Sequence, residues 1–330
     1  MVGEITLKGS AYWNVYAHER LLAVLPKWEP KRDELEQQQR NRRAGMAGEE
    51  RVIEVLQSAG LPPDTPIFWD VGLPLSPSVF IQMDIVMVLR HGVLIFESKQ
   101  IAGRLRFVQN PAALQKVENG EVTLVMDCPA AQFEDQRDSF TLWLATRGFR
   151  APVDGSVVFT TNPVIEGPPN LPIISLRELR GFIRSAVQAE PVLSSKDVRL
   201  LVNTIEKSRS RFIPYPLCGR YGIDSTKIQW GPRCGCGSQL IKSTERRWNC
   251  ENCKLQGTPA YGPALLDWFL LRSETITVQQ CAALFGIHRQ SAWRLLGRMR
   301  LTKVEGKGGK HTLYRIDYTD FEALNQLLKP

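Results

Sequence analysis

The chain has 330 residues, of which 43% are hydrophobic and 23% are charged, and its formal net charge is +8. These values are ordinary for a globular protein of two or three domains and exclude a wholly disordered, collagenous or fibrous chain. No apolar run approaches the roughly 20 residues that a membrane-spanning helix needs, so we expect no membrane partner. The first residues include Glu4 and lack the apolar core of a signal peptide, which predicts a cytoplasmic protein with reduced thiols.

The N-terminal half of the chain has the pattern of an α/β domain. Residues 1–30 are rich in aromatic side chains and are predicted to be irregular. The predicted elements that follow are a helix over 31–57, strands over 67–73, 80–89 and 93–97, a helix over 133–146 and a strand over 156–160. This order predicts a central mixed β-sheet flanked by helices.

Four prolines between residues 162 and 172 exclude a regular element there and mark the end of this first domain. Two further helices are predicted, over 176–187 and 195–208. The predicted organisation is an extension (1–39), the α/β domain (40–165), a helical linker (166–211), a cysteine-containing unit (212–258) and a C-terminal unit (259–330).

Basic residues are concentrated in the later part of the chain. Residues 1–206 contain 22 Lys and Arg against 25 Asp and Glu, whereas residues 207–315 contain 19 against 6. Such an excess of positive charge predicts a polyanionic partner, most simply nucleic acid. A solvated basic surface is the alternative that charge alone leaves open.

A group of charged residues lies where two apolar strands end. Asp84 opens one predicted strand, and Glu97 and Lys99 close the next. Residues i and i+2 share one face of a strand, and a hairpin turning at His91 and Gly92 brings Asp84 opposite them. Two carboxylates form a hard oxygen site suited to Mg²⁺ or Mn²⁺, and a lysine beside them can activate water and offset phosphate charge. The group therefore predicts phosphodiester hydrolysis, with a surface hairpin that has charged ends as the alternative.

The motifs around these residues resemble the nuclease-related domain, NERD, of the PD-(D/E)XK endonuclease-like superfamily. The resemblance covers roughly residues 40–165 and rests on three segments in order: Gly45-Met46-Ala47-Gly48-Glu49, Phe80-Ile81-Gln82-Met83-Asp84 and Phe96-Glu97-Ser98-Lys99. It implies a PD-(D/E)XK-like core in which Asp84, Glu97 and Lys99 are catalytic and Asp84 and Glu97 hold Mg²⁺ or Mn²⁺. Glu49 matches the helix acid that completes the metal site.

Two further details of this resemblance concern helices. Adjacent acids on a helix point about 100° apart, so only one of Glu49 and Glu50 can face the sheet, and Glu49 follows Gly48 as in the family. Glycines at 45 and 48 would let this helix approach a strand or a phosphate closely. The family also has a proline and a glutamine before a later helix, which implies a catalytic role for Gln132; Cys128 stands where the family has asparagine.

Four cysteines form two close pairs, C-x-C at Cys234 and Cys236 and C-x-x-C at Cys250 and Cys253, with thirteen residues between the pairs. Four thiolates at this spacing predict a closed tetrahedral site for structural Zn²⁺ in a small zinc ribbon, because four protein ligands leave no open position for catalysis. Iron–sulfur ligation and free thiols are the alternatives, and Cys218 could replace one ligand.

The residues after 259 predict a winged helix-turn-helix. A buried helix begins at Pro263, a second helix is capped by Thr277, Gly286 makes a tight turn, and a third helix runs over 288–299. Strands over 300–304 and 312–316, joined by a glycine-rich turn, would form the wing. A winged helix used for protein contact is the alternative.

Polar side chains of these last two units predict contact with duplex DNA. Those of the third helix suit base edges and phosphates in the major groove, those of the wing suit the neighbouring backbone, and those near the cysteines, beside Trp248, suit phosphates and a stacked base. The predicted DNA-binding residues are Arg246, Arg247, Arg289, Gln290, Arg294, Lys307 and Lys310.

The leading hypothesis is a metal-dependent DNA endonuclease whose zinc ribbon and winged helix hold DNA for the N-terminal core. The alternative is a non-catalytic DNA-binding protein with a degenerate nuclease fold. RNA processing is a third hypothesis. The intact set of Asp84, Glu97 and Lys99 favours the first.

Overall fold

The computed structural model describes residues 10–62, 64–76, 79–167, 173–209, 213–244, 247–257, 261–305 and 312–328. The chain forms two compact units, one of Met1–Ala11 and Asn41–Phe212 and the other of Tyr12–Arg40 and Ile213–Pro330. In the described part of the chain, no helix combines the length and the apolar character needed to cross a bilayer. The five predicted segments stay a prediction, but the structure groups 12–40 with the C-terminal residues.

Helix α1 (Ser10–Val24) comes first in the described chain, and helix α2 (Arg32–Gln57) runs from the second unit into the first. The strands of the first unit are β1 (Ile67–Ser76), β2 (Val79–Leu89), β3 (Gly92–Lys99), β4 (Arg104–Val108), β5 (Ala113–Glu118), β6 (Glu121–Asp127), β7 (Val153–Phe159), β8 (Val164–Glu166) and β9 (Ile173–Ser175). Its remaining helices are α3 (Pro129–Ala145), α4 (Leu176–Val187) and α5 (Ser195–Ser208).

A five-stranded mixed sheet in the order β1-β2-β3-β7-β9 is the centre of the first unit. The pairs β1–β2 and β2–β3 are antiparallel, whereas β3–β7 and β7–β9 are parallel. Ile85 of β2 lies opposite Phe96 of β3, and Leu89 lies opposite Gly92, so the predicted hairpin is confirmed. The predicted mixed sheet flanked by helices is confirmed as well.

Helices cover both faces of this sheet. On one face, buried side chains of α2 and α4 pack with Ile85 and Met87. On the other face, buried side chains of α3 and α5 pack with Val86 and Val88. Burial of apolar side chains on both faces explains why β2 and β3 are nearly continuously apolar, as strands covered on both sides are.

A second, four-stranded sheet has the order β6-β5-β4-β8. Its strands β4 and β8 follow β3 and β7, respectively, along the chain. The sequence did not reveal its strands β4–β6, and the prediction that no regular element lies between residues 162 and 172 is wrong, because Val164–Glu166 forms β8 and pairs with β4. Strand β6 is exposed along nearly its whole length, so it lacks the apolar alternation that identifies a half-buried strand.

The described elements of the second unit, besides α1 and the start of α2, are short. They are α6 (Leu217–Tyr221), β10 (Leu240–Lys242), β11 (Trp248–Cys250), β12 (Gln256–Gly257), α7 (Tyr261–Asp267), β13 (Thr275–Thr277), α8 (Val278–Phe285), α9 (Arg289–Arg298), β14 (Thr302–Glu305), β15 (Thr312–Arg315) and α10 (Phe321–Leu328). Two three-stranded sheets form, in the orders β10-β11-β12 and β13-β15-β14.

The prediction that residues 1–30 are irregular is wrong, because Ser10–Val24 is a helix. Its side chains Trp13, Ala17 and Leu21, spaced four residues apart, are buried in the core of the second unit. Apolar residues at this spacing indicate an amphipathic helix, and the prediction missed this because it rested on aromatic composition alone. The guanidinium of Arg20 also donates to both carboxylate oxygens of buried Asp267, at 2.7 and 2.5 Å.

Helices α8 and α9 follow one another with a tight turn between them. The Thr277 hydroxyl accepts the Gln280 backbone N–H at 3.1 Å and so caps α8. Gly286 ends α8 with a φ of +55°, a conformation that glycine adopts without cost. Both local predictions are confirmed, while the turn between β14 and β15 lies outside the described residues.

Candidate active site

The predicted catalytic residues Asp84, Glu97 and Lys99 come together at one edge of the central sheet. Extending the β2–β3 register by one residue places Asp84 opposite Glu97. The backbone N–H of Ser98 donates to Asp84 Oδ2 at 2.8 Å, and Lys99 Nζ donates to Glu97 Oε1 at 2.5 Å. Glu97 is buried, whereas the Lys99 side chain is 23% exposed. The lysine therefore connects a buried carboxylate with the solvent-facing edge.

Two glutamines on α3 hold this pair. Gln132 Oε1 accepts a hydrogen bond from Lys99 Nζ at 3.1 Å. One turn further along, Gln136 Nε2 donates to Glu97 Oε2 at 2.8 Å and to the Gln82 carbonyl at 3.0 Å. Residues four apart share one face of a helix, just as residues two apart share one face of a strand. Sequence reasoning found Gln132 and missed Gln136, although the spacing Gln132-x-x-x-Gln136 was visible.

Glu49 reaches the site from α2, on the other side of the sheet. Its Oε2 accepts a hydrogen bond from the indole N–H of Trp69 in β1. A Cβ placed on Gly48 would lie 3.2 Å from the Cβ of Gln100, which follows β3, so a glycine permits this close approach. The close approach to a strand predicted at Gly48 is confirmed, whereas at Gly45 no atom outside the adjoining helix lies within 4 Å of a Cβ placed there, so that helix does not approach a strand at this residue.

Strands β1 and β2 change their side-chain alternation at the level of the carboxylates. In a regular strand, side chains an odd number of residues apart point to opposite faces. Met83 and Val86 are three residues apart, yet both pack on the same face. In β1 the change occurs at Asp70, whose φ is +51° and whose place opposite Asp84 follows from the register. The guanidinium of Arg209 donates to the Trp69 carbonyl at 2.7 Å at this point. The irregularity lies at Asp70 and Asp84, next to each other across β1 and β2, and the charges of Asp70 and Glu97 both act on Asp84.

Burial and the charge of neighbouring acids raise the pKa of two carboxyl groups of this site, those of Glu49 and Asp84. Burial, followed by the charge of Asp84, raises the pKa of Glu49 to about 8. Burial, followed by the charge of Glu97, raises the pKa of Asp84 to about 7, although the Ser98 N–H and Lys99 act in the opposite direction. Both carboxyl groups thus ionise less readily than free ones, because burial and like charge together outweigh the hydrogen bonds that favour the charged form.

Arg51 brings a second cation to the same edge, two residues after Glu49. Its guanidinium donates to the Thr160 carbonyl at 3.2 Å, and the Thr160 N–H donates to the Lys99 carbonyl at 3.0 Å. Arg51 is exposed. Arg51 was not predicted as a site residue, because its position here depends on how α2 packs against the end of β7 and not on its spacing from other residues in the sequence.

The four predicted zinc ligands also come together. Cys234 Sγ lies 3.3 Å from Cys253 Sγ, and Cys236 Sγ lies 3.5 Å from Cys250 Sγ. In the described part of the chain, these cysteines are the one group of three or more candidate ligands whose ligand atoms all lie within 4.8 Å of one another. Cys218 is not part of that group and is buried among apolar side chains of the second unit.

The predicted DNA-binding residues that the structure describes are exposed. Arg289, Gln290 and Arg294 line the exposed side of α9, while Ala292 and Leu296 are buried. Arg247 is exposed next to β11, and Arg246, Lys307 and Lys310 lie outside the described residues. The expectation that Trp248 stacks on a base is wrong, because Trp248 is buried.

Comparison with known proteins agrees with the geometry of the first unit. Residues 44–160 match the family described as nuclease-related domain, NERD. This range contains strands β2 and β3, which carry Asp84, Glu97 and Lys99, and helix α3, which carries Gln132. No curated protein and no solved structure matches the chain. Residues 44–160 therefore match the nuclease-related domain family; Asp84, Glu97 and Lys99 lie within this range, and the four clustered cysteines follow it in the chain.

Proposed function

We propose that the protein is a metal-dependent DNA endonuclease with a PD-(D/E)XK-like core, in which Asp84 and Glu97 hold Mg²⁺ or Mn²⁺. The observation that carries the proposal is the joined set of Asp84, Glu97, Lys99 and two glutamines at one edge of the sheet. Each of the five side chains takes part in a hydrogen bond within this set or with the adjoining backbone. Such support for a charged group is what a preorganised catalytic site requires.

The donor chemistry of this edge fits a hard divalent cation. Its ligands are carboxylate oxygens, which Mg²⁺ and Mn²⁺ prefer. Burial first, and then the charge of neighbouring acids, raises the pKa values of Glu49 and Asp84, and a bound cation would favour their charged forms. When bound by Asp84 and Glu97, the cation would supply Lewis-acid activation of water and neutralisation of phosphate charge.

The protein's own residues would then position the reaction. Gln136 holds one oxygen of Glu97 and leaves the other to Lys99, so the carboxylate cannot rotate. Lys99, held by Gln132, presents its ammonium group at the partly exposed edge, where it can orient a water molecule or stabilise charge on the phosphate. Arg51 has guanidinium N–H groups beyond the one bonded to Thr160, which suits an adjacent phosphate.

The cysteine cluster supports a structural zinc ion. A zinc ion about 2.3 Å from four sulfurs in a tetrahedron places those sulfurs roughly 3.8 Å apart, close to the separations of the two cysteine pairs. Cys234, Cys236, Cys250 and Cys253 would hold the ion beside the three short strands of a zinc ribbon. All four ligands would come from protein, so this ion would stabilise the fold rather than react.

The second unit would supply the DNA contact. Helices α8 and α9 with the sheet β13-β15-β14 have the element order of a winged helix, and α9 presents Arg289, Gln290 and Arg294 to solvent. Such side chains suit base edges and phosphates of duplex DNA in the major groove. Arg247 of the ribbon, together with Arg246, Lys307 and Lys310 outside the described residues, belongs to the same proposal.

The test is cleavage of supercoiled plasmid by the full chain with Mg²⁺ or Mn²⁺. We expect nicked and linear products with either ion and none after their removal by a chelator. Plasmid that stays supercoiled while gel shift shows binding would instead identify a non-catalytic DNA-binding protein. A parallel reaction with a duplex RNA of the same length distinguishes DNA cleavage from RNA processing.

A further inference from the structure

An exposed tryptophan lies on the connection between α1 and α2 in the second unit. Trp28 is 63% exposed. The connection around it is well bonded: the Glu29 N–H donates to the Pro26 carbonyl at 3.2 Å, and the Arg32 N–H donates to the Glu29 carbonyl at 3.0 Å. The guanidinium of Arg32 also donates to the Leu25 carbonyl at 3.1 Å. The indole is therefore presented by a fixed turn.

One exposed lysine, Lys227, lies near this indole in the fold, and two more, Lys27 and Lys31, lie within three residues of Trp28 in the chain. Lys27 precedes Trp28 directly, and Lys227 Nζ lies 5.9 Å from the centre of the indole ring. Lys31 Nζ donates to the carbonyl of Tyr221, which brings the turn against the end of α6. Trp28, Lys27, Lys31 and Lys227 all belong to the second unit, and we call them the Trp28 patch.

One acid near the patch is already engaged in local structure. Asp224 Oδ1 accepts hydrogen bonds from the backbone N–H of Thr226 at 3.0 Å and from its hydroxyl at 2.6 Å. Asp224 Oδ2 lies 3.9 Å from Lys227 Nζ, a separation at which an exposed pair contributes little. Lys227 consequently keeps an ammonium group that can contact a ligand, although Asp224 and the neighbouring Glu29 also bring negative charge to this region.

The combination of an exposed indole and ammonium groups selects among possible ligands. An apolar protein surface would cover the indole but would have to desolvate the lysines. An acidic peptide would pair with the lysines but would leave the aromatic face unused. A nucleotide uses both, because its base stacks on an indole and its phosphates attract ammonium groups. Bases of an intact duplex stack on each other, so the available bases are unpaired ones.

We infer that the Trp28 patch binds unpaired nucleotides of a DNA or RNA strand, with a base stacked on Trp28 and phosphates near the three lysines. This site is separate from the duplex contact proposed for α9 and does not depend on cleavage. Its presence would direct the protein to nucleic acid that contains single-stranded regions, such as a gap, a flap or a junction.

The test compares the binding of labelled dT20, U20 and a 20-base-pair duplex to the full chain by fluorescence anisotropy, with Mg²⁺ and Mn²⁺ omitted. We expect Trp28→Ala to weaken binding of dT20, U20 or both by about tenfold and binding of the duplex by less than twofold. Trp28→Phe should keep most of the affinity, because a phenyl ring also stacks. Leu255→Ala removes an equally exposed apolar side chain of the same unit and should change neither.

Several outcomes would overturn the inference. Equal losses for single strand and duplex, or no loss for Trp28→Ala, would show that stacking at Trp28 is absent. Polyglutamate that displaces dT20 from the wild type and from Trp28→Ala equally well would reduce the patch to a non-selective anion surface. If the wild type binds duplex but neither single strand, the Trp28 patch fails while the proposed endonuclease function stands. If the wild type does not cleave plasmid but binds dT20 in a way that depends on Trp28, the proposed endonuclease function fails while the Trp28 patch stands.

Discussion

The carboxylate centre of the first unit and the cysteine cluster of the second both gather candidate metal ligands, but they differ in what holds the ligands in place. Glu97 is fixed by Lys99 and Gln136 and is buried between a sheet and a helix. Cys250 lies in the three-residue strand β11, whereas Cys234, Cys236 and Cys253 lie in the turns and irregular chain beside the short strands, and Cys236 and Cys253 are exposed. The comparison indicates that packing organises the first cluster, whereas the second, if it holds the proposed zinc ion, would take much of its order from that ion. Loss of metal should therefore stop chemistry in one unit and unfold local structure in the other.

The largest effect is expected at the carboxylates. Asp84→Asn or Glu97→Gln should reduce plasmid cleavage at least about a thousandfold, because each removes a charged oxygen ligand while keeping the side-chain shape. DNA affinity, measured by gel shift without divalent metal, should stay within about twofold of the wild-type value, since the excess of Lys and Arg lies in residues 207–315. Glu54→Gln on the exposed side of α2 serves as the control and should cleave normally. Undiminished cleavage by both variants would remove the active-site assignment.

The next effect tests the cysteine cluster. Cys250→Ser or Cys253→Ser should lose the one zinc ion per chain that elemental analysis of the wild type should give, and the ribbon should become sensitive to protease. Cys218→Ser is the matched control: it should retain zinc, because Cys218 is outside the cluster. Iron with visible absorbance in the wild type, or no metal at all, would contradict the zinc proposal.

A pH dependence distinguishes the two clusters further. The pKa values of about 8 for Glu49 and about 7 for Asp84 mean that protons compete with a divalent cation below these values. Mg²⁺ affinity, measured by calorimetry, should thus rise between pH 6 and pH 8, by up to about tenfold per pH unit for each proton released. In Asp84→Asn the increase should be smaller. A flat profile in the wild type would show that the acids are ionised without metal.

Gln136 offers a finer test of packing-based order. Gln136→Leu keeps the volume but removes both hydrogen bonds, so cleavage should fall about 10- to 100-fold, as observed for residues that orient metal ligands in general. The metal concentration needed for half-maximal cleavage should rise with it, a change that general destabilisation would not produce. Gln136→Glu is informative as a second variant, because another acid should worsen the repulsion. Unaltered metal dependence in both variants would indicate a purely structural glutamine.

The smallest effects concern α9. Arg289→Ala or Arg294→Ala should cost about 1–3 kcal/mol at a preferred duplex site and less at other sequences, provided the helix reads bases. Arg298→Ala, at the end of the same helix, is a useful comparison. Equal losses on every sequence would indicate a sequence-independent clamp, and unchanged binding in all three variants would favour a protein-contact role for this helix.

The sequence predicted the parts of the site that depend on local periodicity. The opposition of Asp84 and Glu97 follows from alternation and one turn, and the pairing of Glu97 with Lys99 follows from a spacing of two. The role of Gln136 and the irregularity at Asp70 could not be predicted in this way, because they depend on how a helix and a neighbouring strand pack across the sheet. The same limit applies to α1, whose apolar spacing was visible but whose partners lie some 200 residues away in the chain.

The composition of the second unit has a consequence for protein synthesis. Residues Tyr12–Arg40 leave the ribosome before most of the first unit, but the residues that complete their core, beginning with Ile213, follow only after the whole first unit has been made. The apolar side of α1, with Trp13 and Leu21, must therefore wait uncovered while the nuclease-related domain folds. A chain interrupted before Ile213 would keep that surface exposed, and a C-terminal fragment made alone would lack part of its own interior.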